Sequence, residues 1–106
     1  MSETGQPGDY PTRDVAELQQ VLAAISDPVR LEMVRRLAGG EPVACSALYA
    51  DISKSTASHH FKILREAGVT DRSVIGGQTH QRLRLDDVEA TYPGVLSSIL
   101  AVQPAR

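Results

Sequence analysis

The sequence predicts a small, mainly α-helical domain with one β-hairpin, on three observations. Apolar stripes of helical period recur between Asp14 and Leu64, and Asp27-Pro28 and Ser53 stand where helices should begin. After Gly68 the pattern changes to alternation around a central Gly76-Gly77 pair, a hairpin signal. At 106 residues with 42% hydrophobic content, the chain has room for one core that buries about 60–65% of the unfolded surface.

The elements follow in order. Residues 1–12 carry Gly5, Pro7, Gly8 and Pro11 among polar side chains and are expected to form a loosely attached tail, leaving residues 13–103 as the domain. From Asp14 to Ile25, the residues Val15, Leu18, Leu22 and Ile25 repeat at spacings of 3, 4 and 3, the seam of a helix that packs on another helix. Val21 and Ala24 widen that seam. Asp27 and Pro28 open the second helix and Gly39-Gly40 close it. Leu31, Val34 and Leu37/Ala38 should face inward with Val29 and Met33 beside them, which turns Arg35 and Arg36 to solvent or phosphate and leaves Arg30 open to a structural ion pair. A short helix is expected from Pro42 to Asp51, with Val43, Ala44, Ala47 and Leu48 apolar; Ser46 and Tyr49 leave its register loose.

The next stretch carries the most information. Ser53 is a good N-cap and Gly68 a good residue just past a C-terminus, so a helix of about 20 Å should lie between them. On it, Ala57, Phe61 and Leu64 form one apolar stripe, while Ser55, Ser58, His59 and Lys62 fall on the opposite side. An amphipathic core helix with a bland polar face fits the same periodicity. Short hydroxyl, imidazole and amine groups, however, are the side chains that let a helix sit deep in a major groove and bond base edges and phosphates. His59 and His60 point about 100° apart on a helix, so they cannot close on one ion, and His60 turns toward the packed side as a hydrogen-bonded structural histidine.

Two β-rich runs flank the glycines, Val69 to Ile75 and Thr79 to Leu85. In the second, Leu83 and Leu85 alternate with Arg82 and Arg84, which should put the arginines outward. Those two, with His80, Gln81 and Arg72 behind them, are then candidates for backbone or minor-groove contact, and an edge kept soluble by arginines is the plainer alternative. Asp86 and Glu89 have capping-box spacing, and Tyr92-Pro93-Gly94 breaks the helix they open. Beyond the break, Val95, Leu96, Ile99 and Leu100 make a second narrow stripe. Together with Val15, Leu18, Leu22 and Ile25, that is more apolar surface than so small a domain easily buries. A two-fold dimer through the first and last helices would cover both stripes and present two copies of the central helix to a pseudo-palindromic site.

The net charge of −2 divides unevenly along the chain. Residues 28–84 carry nine basic against five acidic side chains, whereas residues 1–27 sum to −4 and residues 85–106 to −2. The basic middle can supply phosphate contacts that the overall charge conceals. No apolar run spans a bilayer and no signal segment opens the chain, which predicts a cytoplasmic protein without a membrane partner. There is no Gly-rich phosphate loop and no G-x-S-x-G nucleophile motif, so nothing asks for an enzyme.

Ser53 to Gly68, S-K-S-T-A-S-H-H-F-K-I-L-R-E-A-G, resembles the recognition-helix signature of ArsR-type winged helix-turn-helix regulators. Ser26-Asp27-Pro28-Val29-Arg30-Leu31 is similar to the D-P-x-R-L motif with which that family opens. The two motifs stand in family order, and the match runs from about Asp14 to Leu100. The resemblance implies a homodimeric transcriptional regulator of repressor type on double-stranded DNA. Helix 54–67 would enter the major groove with Lys54, Ser55, Thr56, Ser58, His59 and Lys62, hairpin 69–85 would be the wing, with Arg82 and Arg84, and the first helix would join the dimer interface. It also implies two common metal sites, a cysteine pair around the helix before the recognition helix and Asp/His ligands on the last helix. Neither donor set is present: Cys45 has Val43 and Ala47 at its i−2 and i+2 positions, and no His lies beyond His80. No cofactor is therefore expected. The signal stays open between a small-molecule inducer, a metal, a redox change at Cys45 and none. A protein-interaction module without DNA binding is the competing reading, motivated by the low net positive charge and by Ile75 near the hairpin tip.

Overall fold

The computed structural model describes residues 13–49 and 51–102. The tail expected over residues 1–12 and the domain end expected at residue 103 lie outside the described residues. Helix α1 spans Leu18–Ser26 and α2 spans Pro28–Arg36. Asp27 separates them: its carboxylate accepts from the amides of Val29 (2.8 Å) and Arg30 (3.1 Å), with Pro28 at the first helical position. Those bonds, the one from Arg30 foremost, hold the Asp27 pKa below the usual carboxylate value against an opposing effect of burial. Helix α2 ends at Arg36, and Gly40 turns the chain away at φ +85°.

The first helix is shorter than its periodicity suggests. Residues 14–17 lie outside the helix, where the Ala16 amide donates to the carbonyl of Ala67 (3.0 Å) and the Tyr92 hydroxyl to that of Ala16 (2.7 Å). A strap whose backbone bonds go to other elements cannot also bond to itself. Gly68, at φ +78°, lies directly beneath it: a Cβ there would stand 2.6 Å from the carbonyl oxygen of Asp14.

The short helix expected over Pro42 to Asp51 is also corrected. Val43–Ala44 forms strand β1, and Cys45–Leu48 is a single 3-10 turn. Pairing of Val43 with Gln81 and Ala44 with His80 keeps the chain extended to residue 44. The residues that follow bury only Cys45 and Leu48, three apart, which matches the three-residue period of a 3-10 turn; Ala47 is exposed.

Helix α3, Lys54–Glu66, is followed by β2 (Thr70–Ile75) and β3 (Gln78–Leu83), then α4 (Leu85–Thr91) and α5 (Val95–Ala101). The antiparallel sheet has the order β1-β3-β2. Gly76 and Gly77, both at positive φ, make the two-residue turn whose twist suits a hairpin. The mainly α-helical class with a small hairpin is thus observed, with β1 as an added third strand.

The core joins Val21, Ala24 and Ile25 of α1 to Met33 and Val34 of α2, Ala57, Phe61 and Leu64 of α3, and Leu83, Val88 and Leu96 beyond. Ile25 (4% exposed) and Leu96 (fully buried) belong to this single-chain core, which corrects their assignment to a surface between two chains. The capping box is corrected as well. Glu89 serves α5, accepting from the Gly94 and Ser97 amides (2.9 Å each) and the Ser97 hydroxyl (3.1 Å), and the Ser97 amide leads in lowering its pKa. Helix α4 has Arg84 at its N-cap with no side-chain cap bond.

Candidate nucleic-acid interface

Helix α3 starts where Ser53 accepts the Thr56 amide at 3.2 Å. The Ser53 hydroxyl also contacts those of Thr56 (3.0 Å) and Ser55 (3.2 Å), so the first turn carries a small linked group of hydroxyls at the surface. Ala57, Phe61 and Leu64 are buried, and the Phe61 ring lies against Tyr49 with centroids 6.3 Å apart. On the other side Lys54, Ser55, Thr56, Ser58, His59 and Lys62 are all exposed. The structure therefore brings these six side chains together on one open face.

Behind that face, α3 is tied to the two helices before it. The Arg30 guanidinium donates to the carbonyls of Ala23 and Ala24 at the end of α1, and its Nη1 lies 3.1 Å from Nδ1 of His60. A guanidinium can only donate, so Nδ1 accepts and the ring proton resides on Nε2. Arg30 thus serves helix carbonyls and a histidine in place of an ion pair, and His60 holds the position inferred for it.

The two hairpin arginines part company. Arg82 is 43% exposed at its side chain and pairs with Asp71 at 2.6 Å on the outer face of the sheet. Arg84 is 6% exposed, and its guanidinium bonds the carbonyls of Arg13 and Gly68 and the carboxylate of Asp87. It fastens the strap to the sheet and is not available to a nucleic acid, which corrects its place among the contact residues. The alternation behind that expectation ends with β3 at Leu83, where the chain turns into α4. Gln81 is likewise buried, accepting from Thr70 (3.1 Å) and donating to the Cys45 sulfur (3.7 Å). His80 stays on the outer face, its Nδ1 2.9 Å from the carbonyl of Gln78.

Arg72 is brought to the site by register. It pairs with Gln81 on the inner face of the hairpin, and a cleft there is shared with Lys54 and Ser58 of α3. Strand alternation alone does not place Arg72 beside α3; the pairing across two strands does.

Of the remaining stripes, Leu18 and Leu22 are 38% and 42% exposed, and Val15, Val95, Ile99 and Leu100 are half-buried. Among the described residues no three His, Cys, Asp or Glu side chains gather into a group that could hold a metal ion, and no helix is long and apolar enough to cross a membrane.

A capped helix with a free polar face, set against a two-stranded hairpin, defines a winged helix-turn-helix protein. Residues 25–72 match the helix-turn-helix domain family. The HTH-type transcriptional regulator YceK of Bacillus subtilis (strain 168) is 36% identical over 83 residues, 76% of this chain and 83% of that one. The arsenical resistance operon repressor of Staphylococcus xylosus is 45% identical over 49 residues, 45% of this chain and 47% of that one. In structure, the chain resembles the homodimeric winged helix-turn-helix DNA-binding domain of Mb0332 from Mycobacterium bovis, a possible ArsR-family regulator. The TM-score is 0.63 at 23% identity over 76% of each chain, a likeness of fold. The chain belongs to the ArsR-type winged helix-turn-helix regulators, a family of DNA-binding transcriptional regulators. That membership favours the regulator over the protein-interaction module.

Proposed function

We propose that this regulator is a homodimeric repressor that binds a pseudo-palindromic operator. Helix α3 lies in the major groove, where Ser55, Thr56, Ser58 and His59 reach base edges and Lys54 and Lys62 neutralise phosphates. The hairpin is the wing, and Arg82 is its backbone contact. Residues 13–103 act as the DNA-binding and dimerisation domain. The observation that carries this reading is the face of α3: six short or basic side chains lie exposed side by side with no acidic residue among them.

The dimer joins Val15, Leu18 and Leu22 with Val95, Ile99 and Leu100 across a two-fold axis. The half-exposed leucines of α1 support it, as does the homodimeric state of the Mb0332 domain. Repression follows the Staphylococcus xylosus relative, which is itself a repressor.

The test is binding of the purified protein to duplex DNA from just upstream of its own coding sequence, beside a scrambled fragment, over a series of salt concentrations. Preference for the native fragment with affinity falling steeply with salt is expected. If neither that fragment nor any duplex recovered from a random-sequence pool binds in preference to bulk DNA, the reading fails.

A further inference from the structure

Helix α2 and the segment that leads into α3 leave a groove of about 300 Å3 between them. Its walls are mainly apolar: Val29 and Met33 come from α2, and Leu48, Tyr49 and Ile52 from the facing segment. Met33 and Leu48 belong to the core, whereas Val29, Tyr49 and Ile52 stay half-buried. Three charged residues, Glu32, Arg36 and Asp51, also line the groove. Arg36 is engaged, donating to Glu32 at 3.3 Å and to the Ala47 carbonyl at 3.4 Å. That pair cancels in charge. Asp51 is exposed and forms no ion pair with a described residue, so the groove carries one uncompensated negative charge.

We infer that this groove binds a small lipophilic organic cation, an ammonium group carried on an apolar body. The apolar walls take up the body, while the Asp51 carboxylate and an aromatic side chain such as Tyr49 attract the positive head. The volume is that of a small-molecule site at the lower end of the usual range. An anion of the same size meets Asp51 instead, and the guanidinium that would receive it is already held by Glu32. The position of the groove gives the binding a consequence, which rests on the proposed reading of α3. Ile52 immediately precedes Ser53, the N-cap of α3, and the Tyr49 ring lies 6.3 Å from that of Phe61 within α3. An occupant between α2 and these two residues alters how α3 sits on the core. Cation and operator binding are therefore coupled, and the cation is an effector.

Amide chemical shifts of the purified protein, titrated with benzyltrimethylammonium, with neutral 2-phenylethanol and with phenylacetate at matched ionic strength, test this. Saturable shifts centred on Met33, Leu48, Tyr49 and Ile52 are expected, with the cation bound about tenfold more tightly than phenylacetate. Asp51→Asn, a change at an exposed position, should weaken the cation about threefold and leave 2-phenylethanol unaffected. No saturable shift with the cation, equal affinity for all three compounds, or a cation affinity untouched by Asp51→Asn overturns the inference. If the same amides shift with protein concentration alone, a second copy covers the groove and the small-ligand inference falls. Duplex selected from a random pool should bind with an affinity changed about fivefold or more at saturating benzyltrimethylammonium; an unchanged affinity overturns the effector role. If the cation binds as expected and no duplex does, the groove stands and the operator reading is what fails.

Discussion

Arg84 and Arg82 are two residues apart and similar in sequence context, yet they do different things. Arg84 is buried among two backbone carbonyls and a carboxylate, so Arg84→Ala should leave those acceptors unmatched and cost about 3 kcal/mol of stability. Arg82→Ala opens one half-exposed pair and should cost less than about 1 kcal/mol. Urea denaturation of the two variants checks this, and equal losses would contradict it. Asp27 offers a second test with a definite sign. Its pKa is lowered in the folded state, so its contribution is fully present above the pH where an unfolded aspartate titrates, about 4, and is lost as pH falls through the folded value. Asp27→Ala should therefore cost about 1 kcal/mol at neutral pH and flatten the acid limb of a stability profile. A variant whose acid limb matches wild type would show that the cap is not the cause.

At the scale of elements, α3 was legible because everything that specifies it is local: Ser53 before it, Gly68 after it, and the offsets of Ala57, Phe61 and Leu64 within it. The same holds for the two-glycine turn. What escaped the sequence reading was set by partners far along the chain. Residues 14–17 have helical periodicity but Ala16 among them gives its backbone bonds to Ala67 and Tyr92, and residues 43–44 are drawn out by β3. Glu89 has the spacing to cap its own helix, yet the next helix brings free amides to its carboxylate. Helical spacing placed Ser55, Ser58, His59 and Lys62 on the exposed side of α3, whereas Arg72 comes beside that helix only through hairpin register and Arg84 turns inward because the strand ends. If α3 docks as proposed, Lys62→Ala should weaken operator binding for all sequences alike and lower the slope of log affinity against log salt by about one. A slope equal to wild type, measured by fluorescence anisotropy, would place Lys62 off the phosphates.

If the operator is two-fold as proposed, the whole molecule supplies it with two copies of α3, and the surface that joins them should be the outer side of α1 with α5. Leu18 and Leu22 remain exposed after the core has taken Val21, Ala24 and Ile25. Leu22→Glu should turn a dimer into a folded monomer by sedimentation velocity and, by removing the second linked half-site contact, weaken operator binding about a hundredfold. A Leu22→Glu protein that stays dimeric would move the interface elsewhere. The central claim, that α3 reads the operator, is tested most directly by selecting binding sequences from a random pool with the wild type and with Ser58→Ala and His59→Ala. Wild type should return a two-fold symmetric consensus with half-sites about one helical turn apart, and each variant should relax the preference at matching positions in both halves. The same consensus, equally sharp, from all three proteins would contradict the claim.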